Sequence, residues 1–321
     1  MTNEARVSSA SHPRRLLPRL SITQREAVDG LLFISPWLIG LLVFTLGPFI
    51  FSLGISFFRW NMISAPRFVG FDNYSELFRD RFIEYATRAT LYYAGLSVPA
   101  GMLGGLTVAL LMNMKIRGLS IYRMVFYLPA VVSGVATSIL WIWLLEPSGG
   151  LINSMLRIVG IKGPMWLGAR EWAVPSLVLM NMWGVGGGML VLLGALQNVP
   201  TTLYDAALVD GANVLQRFWN VTLPMISPIL LFNMVTGFIG AMQSFTSAFI
   251  MTGGGPNYAT MFYVLYLYNT AFVDFRMGYA SALAWILFIV IVALTSVVLR
   301  GSTAWVYYEG LRVGQQSKGG R

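Results

Sequence analysis

One short loop decides the fold: the stretch LYDAALVDGA at residues 203–212. An apolar run long enough to cross a membrane lies on each side of it. The loop holds three alanines, one glycine and two aspartates, so little side-chain bulk shields its backbone. Because its surroundings favour lipid, this loop is one of the few places where a soluble protein can reach the chain.

The composition extends this membrane assignment to the whole chain. Of 321 residues, 56% are hydrophobic and only 11% are charged, which is too apolar for one soluble core. Segments without Asp, Glu, Lys or Arg reach the roughly 20 residues that span a bilayer. We predict an all-α integral membrane protein with six transmembrane helices within residues 26–300. The predicted spans are about 31–57, 89–113, 124–145, 173–197, 225–251 and 277–299.

The long apolar run at 218–273 is counted as one span. It could hold two, but the turn TGGGPN at 252–257 interrupts it, and a helix cannot continue through that turn in lipid. The aromatic segment at 261–273 is too short to cross and suits the membrane interface.

The loop charges predict the orientation. With six spans both termini share a side, and that side carries 13 Lys and Arg against 9 on the other. The positive-inside rule therefore predicts cytoplasmic termini. This makes residues 1–25 a basic cytoplasmic tail and residues 301–321 a second cytoplasmic tail.

Enzymatic chemistry is missing from the sequence. The one histidine, His12, lies in the N-terminal tail, there is no cysteine, and no phosphate-binding Gly-x-x-x-x-Gly-Lys-Ser/Thr loop occurs. We expect no catalytic residue, no metal and no cofactor in this chain. The net charge of +9 fits attraction to anionic lipid better than binding of nucleic acid. No predicted span holds an ionisable residue, so the usual relay of ion-coupled pumps is absent.

The loop at 203–212 also carries helix signals. Thr202 can cap a helix, and Asp205 three residues later completes a weak capping box. Asp205 and Asp210 then stand near helix starts, and apolar residues beyond them repeat at helical spacing. We predict short helices over about 203–219. On periodicity alone, an ordinary helix lying on the membrane surface explains this pattern.

The same residues resemble the signature loop of the permeases of binding-protein-dependent ABC importers. In that family the loop forms the coupling helix, which sits in a cleft of the ATPase subunit. The chain departs from the family pattern at Asp205, where Glu is usual, and at Val221, where Ile is usual. The resemblance assigns ATPase coupling to Asp205, Ala206, Ala207, Asp210, Gly211, Ala212, Leu223 and Pro224.

Other motifs resemble the carbohydrate branch of those importers: FDNY at 71–74, YLP at 127–129 and TGGGP at 252–256. YLYNTAF at 266–272 and WVYYEG at 305–310 are similar to the larger maltose-transporter permease, and the chain also resembles glycerol-phosphate-type permeases.

This resemblance implies the type I importer permease fold in a bacterial cytoplasmic membrane. It also implies a set of partners: a second, different permease, two ATPase subunits that hold ATP and Mg, and an extracytoplasmic sugar-binding protein.

Polar residues within the spans are candidates for the sugar path, since a polyol needs hydrogen-bond partners beside apolar faces. The alternative role for each is helix–helix contact. A second group of candidates faces the binding protein, with plain loop geometry as its alternative. The path candidates are Asn181, Trp183, Asn233, Gln243 and Ser244. The binding-protein candidates are Gly253, Gly254, Gly255, Pro256, Asn73 and Tyr74.

Two other function classes stay open at this point. One is a stand-alone secondary transporter or channel, and the other is a membrane assembly or sensor protein without cargo. The glycines at 184–188 lack a preceding strand, so we expect them to serve close helix packing or a cavity wall and not a phosphate. The sequence does not identify the sugar.

Overall fold

The computed structural model describes residues 21–114 and 116–307. The predicted basic tail at 1–25 falls mostly outside these ranges. The predicted tail at 301–321 is described only in its first seven residues. Two compact units are present, one ending at Gly54 and one continuing from there.

The first unit follows one helical path. Ser21 starts it with a capping box, because its hydroxyl accepts the backbone N–H of Gln24 at 3.2 Å and the Gln24 side chain accepts the N–H of Ser21 at 3.0 Å. The helix therefore begins well before the predicted span at 31–57. Its parts are α1 (Ile22–Gly40), a π-helical stretch (Leu41–Leu46) and α2 (Gly47–Ile55).

The second unit is built almost entirely from helices, with one short antiparallel hairpin near its start. Its elements are β1 (Phe58–Arg59), β2 (Arg67–Phe68), α3 (Asp72–Leu77), α4 (Arg81–Met112), α5 (Leu119–Val131), α6 (Gly134–Leu144), α7 (Leu151–Ile158), α8 (Arg170–Trp183), α9 (Gly186–Gln197), α10 (Thr201–Val209), α11 (Val214–Arg217), α12 (Leu223–Met242), α13 (Thr246–Met251), α14 (Tyr263–Tyr268) and α15 (Met277–Ser302). π-Helical stretches join α11 to α12 (Phe218–Thr222) and extend α14 (Asn269–Val273).

Four helical segments in the described part of the chain are long and apolar enough to cross a membrane: Ile22–Ile55, Arg81–Met112, Val214–Met242 and Met277–Ser302. Two bent helix pairs raise that number to six if each pair is one span. The pairs are α5 with α6, bent by 99°, and α8 with α9, bent by 51°. The chain is therefore a multi-pass membrane protein.

The bend between α5 and α6 has a local cause. Val132 takes an extended backbone with ψ of 138°, which ends α5. The hydroxyl of Ser133 then accepts the backbone N–H of Ala136 at 3.3 Å and starts α6. The predicted span at 124–145 is thus two helices at a steep angle.

The predicted span at 225–251 also differs from the structure. Helix α12 ends at Met242, nine residues before the predicted end, and α13 begins only at Thr246. The sequence places the break of this apolar run at 252–257, and the structure contains an earlier one at 243–245. No glycine or proline marks that earlier break.

Helix α4 lies at the centre of the second unit, where it packs against α8, α9 and α12. Glycine allows the closest approach between α5 and α9. A Cβ on Gly186 would collide with the backbone carbonyl of Phe126, whereas a Cβ on Gly187 would lie 3.9 Å from the Cβ of Ala130. Gly186 therefore serves close helix packing, one of the two roles expected for this glycine segment.

Replacing Gly186 by alanine should destabilise the protein, because the backbone of α5 would have to shift to admit the methyl group. Overpacking of this kind costs about 1–3 kcal/mol. We expect a lower melting temperature of the purified protein in detergent for Gly186→Ala. Gly187→Ala is the matched control and should melt like the wild type. Equal melting temperatures for the two variants would contradict this packing argument.

Candidate functional site

A cavity of about 570 Å³ lies among α4, α8, α9 and α12. Three breaks in the helices reach its wall. They contribute Gly134 next to the bend of α5 and α6, Gly184 and Val185 between α8 and α9, and the segment 243–245 after α12. In a membrane, non-helical backbone is tolerated where it is buried in protein or lines a water-filled cavity. The cavity therefore accounts for the non-helical backbone at these three breaks.

Four of the five predicted path residues line this cavity: Asn181, Asn233, Gln243 and Ser244. The side-chain amide of Asn233 donates to the carbonyl of Ile229 at 3.1 Å, and its Oδ1 lies opposite Gly188. Asn181 and Gln243 form no side-chain hydrogen bond with any residue that the structure describes. Their donors and acceptors are therefore available to a ligand.

Trp183, the fifth candidate, is absent from the cavity lining. Its ring contacts that of Trp141 at 6.4 Å between centroids, with the planes at 65°. The indole N–H of Trp141 is buried without a partner among the described residues. Trp183 thus packs against a neighbouring helix and does not form the cavity wall.

Helix α4 supplies cavity residues that the sequence reasoning missed. Ser97, Gly101 and Gly105 line the cavity and stand four residues apart. Positions at this spacing share one helix face. The stripe of small residues was visible in the sequence, although it does not by itself distinguish a cavity wall from a packed helix.

The predicted coupling loop is a helical hairpin of α10 and α11. Helix α10 ends in a Schellman motif: the N–H of Gly211 donates to Leu208 at 3.0 Å and that of Ala212 to Ala207 at 2.9 Å. Gly211 has a φ of +77°, which glycine adopts without strain. Its side-chain position faces open space. Gly211 therefore shapes the turn and exposes its backbone.

The predicted capping box at Thr202 and Asp205 is wrong. Helix α10 already includes Thr201, its N-cap position is Pro200, and no side chain caps it. Asp205 lies inside the helix, and Asp210 lies at its C-terminal end, not near a helix start. Pro200 has a fixed φ at the position just before the helix, so α10 begins at Thr201 and Thr202 lies inside it.

A true capping box opens the second helix of the hairpin. The side chain of Asn213 accepts the N–H of Gln216 at 2.9 Å, and the side chain of Gln216 accepts the N–H of Asn213 at 2.8 Å. The hairpin is also tied to the start of α12, because the hydroxyls of Tyr204 and Thr222 are 2.9 Å apart.

Much of the hairpin surface is open. Asp205, Ala206, Asp210 and Gly211 are exposed, while Ala207, Ala212, Leu223 and Pro224 are half-buried. Apolar side chains at its tip are exposed as well: Val209 by 88%, Val214 by 74% and Leu215 by 66%. Large exposed apolar side chains beside small residues are typical of a protein-binding site.

The glycine turn after α13 is held rigidly. The hydroxyl of Thr260 donates to the carbonyl of Gly255 at 2.7 Å and lies 2.6 Å from the hydroxyl of Thr252. Thr260 is fully buried, and Gly254 packs against Met261. The flexible turn implied by its glycines is therefore braced, with Gly253 exposed and Gly255 and Pro256 half-buried.

Asn73 cannot face another protein, since it is buried with 2% exposed. Its amide donates to the carbonyls of Ser56 at 2.8 Å and Phe58 at 3.0 Å, which holds the β1 segment. The hydroxyl of the half-buried Tyr74 lies 2.7 Å from that of Ser56.

The carboxylate of Asp80 joins the helices α4, α14 and α15. Asp80 caps α4 by accepting the N–H of Phe82 at 2.9 Å, and it accepts the hydroxyls of Tyr266 and Tyr279. Burial, and then the hydrogen bond to Asp80, raises the pKa of Tyr266 above its usual value. Tyr266 therefore stays protonated and donates.

Residues 99–307 match the family described as the binding-protein-dependent transport system inner membrane component. The chain belongs to this family. It is 38% identical over 291 residues to the probable ABC transporter permease protein YesP of Bacillus subtilis, covering 89% of this chain and 94% of that protein. It is 33% identical over 279 residues to the trehalose/maltose transport system permease protein MalF of Thermococcus litoralis, covering 86% and 94%.

A solved structure supports the same assignment. The fold matches, with a TM-score of 0.76 and 25% identity, a chain of a bacterial ABC transporter involved in the import of the acidic polysaccharide alginate. The match covers 88% of this chain and 98% of that one. The protein is thus a permease subunit of a binding-protein-dependent ABC importer, and the open alternatives of carrier and sensor are not favoured.

Thr260→Val should loosen the glycine turn, because it removes the donor to Gly255 while keeping the side-chain shape. Leaving a buried acceptor unsatisfied costs about 1–3 kcal/mol. We expect faster hydrogen–deuterium exchange across residues 252–260 of the purified permease. Thr236→Val, which removes an exposed hydroxyl on α12, is the control and should leave exchange in that turn unchanged. Unaltered exchange in Thr260→Val would mean that the hydrogen bonds of Thr260 do not hold the turn.

Proposed function

We propose that this permease moves a saccharide through the 570 Å³ cavity by alternating access, driven by ATPase subunits bound to the α10–α11 hairpin. The observation that carries this proposal is the convergence of three helix breaks and four uncharged polar side chains on one cavity. It is supported by the similarity to two transporters, a trehalose/maltose permease and an alginate importer.

The chemistry of the cavity suits a sugar. Amides and hydroxyls line it beside the rings of Tyr93 and Phe245, and no Asp, Glu, Lys, Arg or His is among the described residues of its wall. A sugar presents hydroxyl groups and apolar C–H faces, which such a mixture can bind. Its volume lies within the range of about 300–1,000 Å³ that is usual for small-molecule sites.

A single helix connects the hairpin with the cavity. α12 begins at Leu223, directly after the hairpin, and ends at Met242, beside the cavity-lining break. The Tyr204–Thr222 contact fixes α10 to the base of that helix. A push on the hairpin therefore moves α12 as a rigid element, which is how rocking between two access states is produced.

The partners follow from this mechanism. Two ATPase subunits hold ATP and Mg. A cleft of one of them receives the exposed part of the hairpin around Asp205, Ala206 and Gly211. A second, different permease closes the open side of the pathway. An extracytoplasmic sugar-binding protein docks at the opposite end, near Gly253 and Tyr74. This chain then transmits motion and needs no catalytic residue of its own.

The proposed topology has six spans within residues 26–300 and cytoplasmic termini, in a bacterial cytoplasmic membrane. The count of six is supported by the two bent helix pairs, each taken as one crossing. The orientation is supported by the charge bias of the loops. The hairpin then lies on the cytoplasmic side, where ATP is available.

Gly211→Trp should abolish ATP-driven uptake while leaving the fold intact. Its Cβ faces open space, so the indole would project from the hairpin surface and block a partner's cleft. We expect expression and melting equal to those of the control variant Gly160→Trp, with loss of uptake in vesicles and loss of ATPase co-purification.

Gly160→Trp is the matched control, since Gly160 has the same φ of +77°, the same open side-chain position and the same pair of turn hydrogen bonds after α7. Backbone strain is therefore equal, at about 1–2 kcal/mol for a side chain in the left-handed region. Normal uptake by Gly211→Trp would contradict the coupling role.

Asn181→Ala should weaken sugar transport without affecting assembly, because this amide faces the cavity. Losing one hydrogen bond of about 1 kcal/mol raises the KM for sugar about fivefold. Trp183→Phe, a substitution on the same helix but off the cavity wall, should leave the KM unchanged. Radiolabelled uptake measures both. A larger rise in KM for Trp183→Phe than for Asn181→Ala would mean that the sugar does not pass through this cavity.

A further inference from the structure

A second cavity, of about 470 Å³, lies beside the β1–β2 hairpin. It shares no lining residue with the proposed sugar cavity. Its wall includes three arginines, Arg59, Arg67 and Arg276, together with the rings of Trp60 and Tyr279. No Asp or Glu is among the described residues that line it.

Two of these arginines are placed opposite each other. Arg59 on β1 pairs directly with Arg67 on β2, so both side chains leave the same face of the hairpin. Within residues 21–114 and 116–307, neither guanidinium forms an ion pair or a side-chain hydrogen bond. Directly opposed like charges destabilise a strand pair. A bound anion between them would remove that repulsion.

The third arginine is fixed in position. Arg276 forms an ion pair with Glu76 at 2.6 Å and lies over the ring of Tyr279 at 4.4 Å. Glu76 neutralises only this one charge. The guanidinium groups of Arg59 and Arg67 therefore leave the cavity with a net positive charge.

The hairpin loop that carries the cavity is rigid. The side chain of Asn61 accepts the N–H groups of Ile63 at 3.2 Å and Ser64 at 2.8 Å, and the indole N–H of Trp60 donates to the carbonyl of Ser64 at 3.0 Å. The hairpin packs directly on α15, because a Cβ on Gly278 would collide with the carbonyl of Phe58. A preformed cavity binds with a smaller ordering cost.

The position of the cavity points to a lipid and not to a soluble anion. Arg276 immediately precedes α15, so the cavity lies at the end of a helix long and apolar enough to cross the membrane. Aromatic side chains such as Trp60 favour this depth. The same hairpin exposes Ile63 by 83% and Phe68 by 67%, which suits contact with acyl chains.

We propose that Arg59, Arg67 and Arg276 bind the phosphate of an anionic phospholipid headgroup in this cavity. Guanidinium groups bind phosphate oxygens in pairs, which gives geometry as well as charge. The lipid anchors the hairpin to the membrane surface next to α15.

The test uses the full-length permease purified with the subunits that accompany it, stripped of lipid and titrated with phosphatidylglycerol or phosphatidylcholine during native mass spectrometry. Wild type should bind phosphatidylglycerol in preference. The Arg59→Gln/Arg67→Gln variant should bind it about 25-fold more weakly, about fivefold for each arginine near the surface. Its binding of phosphatidylcholine should not change.

Two further variants serve as controls for this test. Arg88→Gln removes an exposed arginine paired with Glu84 outside the cavity and should bind like the wild type. Arg59→Lys/Arg67→Lys keeps both charges but loses the paired guanidinium geometry, so its phosphatidylglycerol affinity should lie between those of the wild type and Arg59→Gln/Arg67→Gln. Equal phosphatidylglycerol affinity in wild type and Arg59→Gln/Arg67→Gln would overturn the proposal. Displacement of phosphatidylglycerol by millimolar inorganic phosphate would mean that the cavity binds free phosphate and not a lipid headgroup.

Discussion

Backbone hydrogen bonding in lipid is the constraint on which the rest of this structure depends. A helix satisfies its own polar groups, so a membrane segment can stop being helical only where it is buried in protein or meets water. Three of the interruptions in its helices, at 132–133, 184–185 and 243–245, lie at or next to residues that line one cavity. The cavity is therefore a consequence of where the chain leaves helical geometry. Amides and hydroxyls line it next to these breaks, and those of Asn181 and Gln243 are left without a side-chain hydrogen bond among the described residues.

Coupling depends on the same helices. α12 runs from the α10–α11 hairpin to the break at 243–245, a length of about 30 Å at 1.5 Å per residue. The Schellman turn at Gly211 and the capping box at Asn213 define the hairpin, and Tyr204 attaches it to the base of α12. A braced hairpin, a helix and a helix break in series can carry motion from a surface to a cavity about one membrane thickness away.

Composition, spacing and rare polar side chains are local signals, so the sequence predicts the apolar segments and the loop at 203–212. It also singles out four polar residues that line the cavity: Asn181, Asn233, Gln243 and Ser244. The break at 243–245 could not be predicted, since no glycine or proline marks it and tertiary packing of α12 decides where the helix ends. Trp183 lies off this cavity and packs against Trp141, because a ring suits both a cavity wall and a packed interface. Asn73 was misassigned because its amide satisfies two backbone carbonyls that only the folded hairpin brings together. Thr202 failed as a cap because the preceding Pro200 sets the helix start.

The central claim is that the cavity opens to one side of the membrane at a time. The chain contains no cysteine, so Ser244→Cys places a single thiol on its cavity wall. The decisive measurement is labelling of that thiol by a membrane-impermeant maleimide, added to either face of reconstituted vesicles, with and without trapped ATP. The account predicts labelling from one face in each state, with a change of face on ATP trapping and protection by transported sugar. Labelling from both faces in the same state, or none from either, would contradict it.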